Sequence, residues 1–342
     1  MAAGHPLRRT PLWRVLRGLN LIESDLLDSM KNQVEQSLKN LIQEQLEMGS
    51  GEVAELCAEI LLAGGKRFRP LLILLAYGTC GGRDFDEIMP LACAFELIHT
   101  ATLVHDDIYD GADQRRGVAT IHKKAGLAKG VIAGDWLFTM GFGLGGRYSE
   151  EIVEIMSKCC ADIAVAEFQQ FDHINDLATT PDDYFQIVEG KTAGPFAAGC
   201  KAAAIIAGCD AQQAEKMYEF GLQLGIAFQL VDDLLDLYGD DRLGKPRGVD
   251  VYEGKMTLPI IHALTLLHGE KRDQLSEILS DFGDEKFTKL IDLLTHSKSI
   301  EYAKILASTY LERSEFALDG FEQSEYKELM LGIAELVNSR NS

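Results

Sequence analysis

Two short stretches concentrate negative charge at helical spacing. "LVHDDIYDGADQRRG" places Asp106, Asp107 and Asp110 at the end of an apolar run and follows them with Arg115 and Arg116. "FQLVDDLLD" repeats the DDxxD pattern at Asp232, Asp233 and Asp236. On an α-helix, positions i and i+4 lie about 40° apart, so Asp106 and Asp110 share a face with Asp107 about 100° round, and the second cluster follows suit. Carboxylates massed at a helix C-terminus repel one another and face the negative end of the macrodipole. A hard divalent cation answers both problems: Mg2+ takes one or two protein carboxylates and completes its shell with water and phosphate oxygens. One cluster alone fits a solvated acidic helix end equally well. Two, each in an apolar helix, point to several Mg2+ ions shared with a diphosphate.

Basic residues supply a second half. "GGKRFRP" sets Lys66, Arg67 and Arg69 after a Gly-Gly pair that lets backbone approach a ligand, and with Arg115 and Arg116 they have the chemistry of phosphate clamps. Lys191 in "EGKTAG", Lys245 in "LGKPRG" and Lys255 in "EGKMTLP" each read as a surface lysine when taken singly. Their shared position in loops flanking the acidic helices favours ligand binding.

The elements that must position these groups are helices. From about Glu23 onward apolar residues recur at three- and four-residue spacing, and no long alternating strand pattern occurs, so an all-α fold is expected. Pro90 is expected to open a helix and Gly111 to close it, with Leu91, Ala94, Phe95, Ile98 and Thr102 as its stripe. A second helix through "EFGLQLGIAFQLVDDLLDLYG" is expected to end at Gly239. Loops fall at "GTCGGRDFD", "NDLATTPDD" and "YGDDRLGKPRGVDVYEGK", the last long enough to cover a site. Without a linker-like segment, residues 23–342 read as a single domain; from Lys255 to Ser342 further helices show no obvious chemistry.

The chain of 342 residues carries 53 Asp and Glu against 33 Lys and Arg, which argues against nucleic acid or anionic lipid as main partner. Seven cysteines, without a CxxC pair and mostly in apolar surroundings, read as buried thiols of a reducing compartment, hence a cytoplasmic protein. No apolar run approaches the roughly 18 residues of a membrane span, the densest being "PLLILLAYG", so a soluble protein without a transmembrane segment is expected. Residues 1–22, with four Arg and no acid, read as an N-terminal tail or short helix, a transit peptide or lipid-surface helix being the alternative.

In order along the chain, "GGKRFRP", "LIHTATLVHDDIYD" with "RRG", "AGDWLF", "KTAG", "FQLVDDLLD" and "GKPRGVDVYEGKMTLP" resemble the motifs of the trans-isoprenyl diphosphate synthases, the polyprenyl synthetases. One DDxxD is weak evidence; the ordered set, spanning roughly Gly64 to Pro259, is specific. The resemblance implies a bundle of about ten or more helices around a central cavity. It implies Mg2+-dependent condensation of isopentenyl diphosphate with an allylic diphosphate through ionisation, condensation and elimination, the released diphosphate acting as base. Asp106, Asp107, Asp110, Asp232 and Asp236 would bind metal with Asp233 in support, about three Mg2+ per site with substrate bound, Mn2+ being able to substitute. Arg115, Lys191, Thr192, Gln229, Lys245 and Lys255 would hold the allylic diphosphate, and Lys66, Arg69, His99 and Arg116 that of isopentenyl diphosphate. Thr192, Phe228 and Gln229 would line the site and stabilise the cation. A homodimer and transient membrane-surface contact for product release are also implied.

Product length has one lever. In this family, bulk at the fourth and fifth positions before the first DDxxD stops elongation; here Thr102 and Ala101 are small. The helical wheel sets Thr102 beneath Asp106 but Ala101 about 140° away, so the role of Ala101 rests on resemblance alone. The next bulky residues on the stripe, Ile98 and Phe95, lie roughly 12 to 16.5 Å below Asp106. A product of C25 to C40 is expected, with a C20 geranylgeranyl diphosphate synthase as the alternative.

Other motifs carry less. "GFGLGG", Gly141 to Gly146, has GxGxxG spacing but follows helical sequence rather than a strand. "GKT" at Gly190 lacks the earlier glycine of a P-loop, Phe185 standing there. Glu96 and His99 form one ExxH pair where a di-iron bundle needs two. His105–Asp106 suggests a helical metal-dependent phosphohydrolase, which leaves the second DDxxD unexplained. A class I terpene cyclase needs no isopentenyl diphosphate clamp. A non-catalytic regulatory subunit of a heteromeric synthase fits poorly with two intact clusters.

Overall fold

The computed structural model describes residues 25–238 and 247–339. The N-terminal segment 1–22, Gly239 and Lys245 lie outside them. Among the described residues the regular elements are helices apart from one small antiparallel hairpin, Gln114–Arg115 with Val118–Ala119, so the all-α expectation holds.

The chain forms two compact units. The first comprises the described residues of Met1–Ser157, Gly199–Ala214 and Phe321–Met330. The second comprises those of Lys158–Ala198, Glu215–Gly320 and Leu331–Ser342. In the first unit run α1 (Asp25–Glu47), α2 (Gly51–Leu62), α3 (Phe68–Thr79), α4 (Phe85–Tyr109), the hairpin β1–β2, α5 (Ile121–Ala125) and α6 (Leu127–Gly145). Next come α7 (Glu150–Asp172), α8 (Pro181–Val188), a π-helical turn (Glu189–Ala193), α9 (Gly194–Ile206) and α10 (Ala211–Tyr238). The second unit continues with α11 (Val249–Tyr252), α12 (Leu258–Leu266), α13 (Glu270–Ser280), α14 (Phe287–His296) and α15 (Ser299–Ala317), before α16 (Glu325–Ser339). Helices α7, α9, α10 and α16 contribute residues to both units.

Helix α4 carries the first acidic cluster. It begins earlier than expected, because Asp84 caps it by accepting from the Asp86 N–H at 3.1 Å, and Pro90 falls inside it. A proline there removes one ladder bond and crowds the preceding turn. The hydroxyl of Tyr148 repairs the damage: it accepts from the Leu91 N–H at 3.1 Å and donates to the Glu87 carbonyl at 2.6 Å, inserting itself into the ladder. The C-terminal end is as expected. Gly111 takes a left-handed φ of 62°, its N–H reaches the Ile108 carbonyl at 3.3 Å and that of Ala112 reaches Asp107 at 3.0 Å, the Schellman pattern. That turn fixes where the aspartates end and the arginines begin.

By length and composition α4 could cross a membrane, contrary to the expectation from its sequence, but 72% of its apolar window is buried inside the protein. It is a core helix. It packs on α6 through glycines: a side chain at Gly134 would meet the His105 ring, and one at Gly141 would lie 2.8 Å from Ile98. Gly141 and Gly145 of "GFGLGG" therefore serve helix packing, against Ile98 and Met156, and the motif lies within a helix rather than after a strand.

Helix α10 carries the second cluster. Phe220, Leu224, Ala227, Leu230, Val231 and Leu234 form its buried face. Its glycines let backbones meet, since a Cβ at Gly225 would come within 2.4 Å of Ala193 and one at Gly221 within 2.6 Å of the Phe196 carbonyl. All seven cysteines are free thiols; Cys57, Cys93, Cys159 and Cys200 are buried as expected, whereas Cys80, Cys160 and Cys209 are half-buried. Burial pushes Cys57 up to about 12.

Candidate active site

In the first unit the hairpin after α4 turns Arg115 and Arg116 back toward it. Arg115 binds the Asp107 carboxylate with Nε at 2.7 Å and Nη2 at 2.6 Å. Asp107 is buried at 2% exposure, whereas Asp106 is half-buried and Asp110 exposed. The cluster thus divides, Asp107 anchoring an arginine inside the fold while Asp106 and Asp110 reach solvent.

Arg67 departs from the expected phosphate clamp. It is 1% exposed and holds a left-handed φ of 51° at the start of α3. Its guanidinium bonds Glu96 at 2.6 Å, Glu35 at 2.8 Å and the Leu61 carbonyl at 2.5 Å. The donors are spent inside the protein, so Arg67 is structural, and Glu96 serves it rather than any metal. Arg116 lies 3.7 Å from Glu96 and donates to the Ile60 carbonyl at 3.3 Å. His99 lies among these cations. Burial, then the charges of Arg69, Arg116, Arg115 and Arg67, hold its imidazole well below the usual range, so it stays neutral. The structure therefore gathers Arg69, His99 and Arg116 as expected, with Arg115 beside them; Lys66 is exposed. Several guanidiniums around a neutral imidazole make an anion site.

The length-determining candidates differ in burial and neighbours. Ala101 is fully buried, and Thr102 is half-buried with its hydroxyl donating to the His99 carbonyl at 2.8 Å. Ile98 faces Gly141 on α6, whereas Phe95 lies nearer Gly199 on α9. His105 turns to α6, its Nε2 3.2 Å from the Val131 carbonyl, which removes it from a metal pair with Asp106.

In the second unit a cavity of about 240 Å³ is lined by Lys191, Thr192, Gln229, Asp232, Asp233, Asp250 and Lys255, among others. The π-helical turn presents Lys191 and Thr192; such bulges are frequent at functional sites. The Lys191 ammonium pairs with Glu167 at 2.6 Å. Thr192 donates to Gln229 at 3.0 Å, Gln229 donates to Asp233 at 2.7 Å, and Tyr184 donates to the other Asp233 oxygen at 2.6 Å. Asp233 is 4% exposed. Burial and the Asp250 charge raise it well above the usual carboxylate range despite those bonds. Asp232 is exposed. Asp236 is half-buried, and its carboxylate accepts the N–H groups of Val249 and Asp250, each at 3.1 Å, tying the end of α10 to the start of α11. Phe228 stands 5.8 Å from Phe196, ring to ring.

Asp250 was not singled out by the sequence, although it lies in the quoted "GVDVYEGK". Burial first, then Asp236 and Asp232, push its carboxyl up to about 7, with Lys255 pulling the other way. Lys255 itself pairs with Glu253 at 2.5 Å. Among the described residues no group of three His, Cys, Asp or Glu is close enough to hold a metal ion on its own. The donor set nonetheless fits one that brings phosphate oxygens: carboxylates that oppose each other's ionisation are stabilised by a divalent cation needing only one or two of them. Tyr184, Asp250 and Thr257 are among the cavity residues that the sequence reading did not single out, and each comes from a different element.

The comparisons agree with this geometry. Residues 51–294 match the family model for polyprenyl synthetase. The octaprenyl diphosphate synthase of Haemophilus influenzae is 34% identical over 94% of this chain and 98% of its own length. The geranylgeranyl diphosphate synthase of Methanosarcina mazei is 35% identical over 81% of this chain and 86% of its own. Among solved structures, a polyprenyl synthase from Caulobacter crescentus CB15, complexed with calcium and isoprenyl diphosphate, superposes with a TM-score of 0.83 at 32% identity, covering 98% of this chain and 99% of that one. The chain belongs to the polyprenyl synthetase family, the trans-prenyltransferases that make polyprenyl diphosphates.

Proposed function

We propose that the protein condenses isopentenyl diphosphate with an allylic diphosphate in a Mg2+-dependent reaction and elongates the product to C25–C40. Asp106 and Asp110 in the first unit, and Asp232 and Asp236 in the second, would be the metal-ligating carboxylates, and Asp250, in the cavity with Asp232, is a further candidate. Bound Mg2+, or Mn2+ in its place, would neutralise the allylic diphosphate and make it a leaving group. Lys191 and Lys255 add positive charge to that diphosphate, Lys245 remaining a candidate on family grounds. Thr192 and Gln229, oriented by Asp233, direct their oxygens toward the cation that forms. Arg69, Arg116 and Lys66 hold isopentenyl diphosphate, and neutral His99 contributes a hydrogen bond rather than a charge. The number of Mg2+ ions, about three on family grounds, belongs to this reading.

The observation that carries it is the cavity in which Asp232, Asp233 and Asp250 meet Lys191 and Lys255. Residues 23–342 are taken as one catalytic domain of a soluble, cytoplasmic homodimer; the exposed Leu127, Val131 and Ile132 on α6 are consistent with an apolar contact surface. The test is transfer of label from isopentenyl diphosphate to an acid-labile allylic product. Chelation should abolish it and added Mg2+ restore it. Incorporation that is indifferent to chelator, or absent with every allylic acceptor, would overturn the reading.

A further inference from the structure

Thr257 lines the same cavity as Lys255, Asp232 and Asp250. It is 5% exposed, and its hydroxyl has no hydrogen-bond partner among the described residues. Its place in the fold makes that unusual. Thr257 is the N-cap of α12, with extended backbone at φ −81° and ψ 158°, where a threonine hydroxyl ordinarily accepts from the second or third helical N–H. Here Pro259 has no N–H to offer, and those of Ile260 and Ile261 both go to the Thr257 carbonyl at 3.0 Å. The hydroxyl is left out of the cap. A buried hydroxyl without a partner is costly, so a ligand that supplies one is favoured over an empty cavity. The start of a helix favours an anion, and Lys255 two residues earlier lines the same space.

We propose that the Thr257 hydroxyl donates a hydrogen bond to a phosphate oxygen of the allylic diphosphate. The inference rests on the prenyltransferase reading and adds to it a residue that acts on one of the two diphosphates, since the arginine set around His99 belongs to the other unit and the other substrate. Thr257 thereby contributes to allylic affinity without contributing charge.

The experiment compares wild type, Thr257→Val and Thr257→Ser in calorimetric binding of inorganic diphosphate with Mg2+, in KM for each substrate, and in melting temperature without ligand. Valine removes the hydroxyl at similar shape, and serine keeps it. Thr257→Val should weaken diphosphate binding and raise the allylic KM about tenfold or more, leaving the isopentenyl diphosphate KM within about twofold, while Thr257→Ser stays within about threefold of wild type throughout. The unliganded valine variant should melt no lower than wild type, because the hydroxyl it lacks was bonded to nothing. A lower melting temperature would make the hydroxyl a structural cap and overturn the proposal, as would a rise in the isopentenyl diphosphate KM instead of the allylic one. Unchanged binding and KM in Thr257→Val, beside an active wild type, overturn this inference alone. A wild type that binds no diphosphate and makes no prenyl product overturns the functional reading with it.

Discussion

Tyr184 donates its phenol hydrogen to Asp233 at 2.6 Å, joining α8 to the buried acid of the second DDxxD cluster. Asp233 accepts from Gln229 as well, and Gln229 accepts from Thr192. The tyrosine therefore fixes the far end of a chain that reaches the cavity. Tyr184→Phe should cost about 1–3 kcal/mol of stability and lower kcat/KM roughly tenfold, by leaving one Asp233 oxygen unpaired. Chemical denaturation and steady-state kinetics measure both; an unchanged kcat/KM would show that Gln229 holds its orientation without help.

Arg67 and Arg69 are two residues apart and have different fates. Arg67→Ala should destabilise the protein by about 3–5 kcal/mol, because Glu96 stays buried with only the longer contact to Arg116, at 3.7 Å, to offset its charge. Arg69→Ala should lower the denaturation midpoint less than Arg67→Ala does and raise the KM for isopentenyl diphosphate about tenfold or more. Equal effects of both on stability would contradict the division between a structural and a binding arginine.

The pH dependence of the ligand-free protein follows from Asp250, whose carboxyl stands at about 7 against an ordinary 3.8. A carboxyl with a folded pKa above its unfolded one binds its proton more tightly in the folded protein, so stability falls as pH rises through that interval. Asp233, raised in the same direction, adds to the trend. Asp250→Asn should flatten the melting temperature between pH 5 and pH 8, and Mg2+ with diphosphate should flatten it in wild type. A wild-type melting temperature that rises steadily over this range without ligand would be the contrary result.

Much of this was legible in the sequence, for local reasons. The end of α4 was fixed by Gly111 and its chain neighbours, and the two DDxxD patterns by helical spacing. Pro90 misled because the group that lets α4 run through it is Tyr148, which reaches it across space. The role of Arg67 was hidden likewise, since its acceptors come from α1, α2 and α4. Tyr184 meets the acidic cluster only after folding, and Asp250 and Thr257, though inside the quoted "GKPRGVDVYEGKMTLP", show their contacts with it only in the folded chain.

Product length gives the sharpest mutational contrast at Thr102. Thr102→Phe, at a half-buried position, should shorten the principal product by at least one isoprene unit. Ala101→Tyr, at a fully buried position, should chiefly destabilise by about 1–3 kcal/mol. Mass spectrometry of the dephosphorylated products and a thermal melt separate these outcomes; unchanged products from both variants would place the floor on another helix.

The most direct measurement is to incubate the protein with Mg2+, isopentenyl diphosphate and, separately, dimethylallyl, geranyl, farnesyl and geranylgeranyl diphosphates, then size the products by mass spectrometry. The account predicts a metal-dependent ladder in five-carbon steps that ends between C25 and C40. A ladder ending at C20 would contradict the open floor beneath Asp106, and no prenyl product from any primer would contradict the prenyltransferase itself.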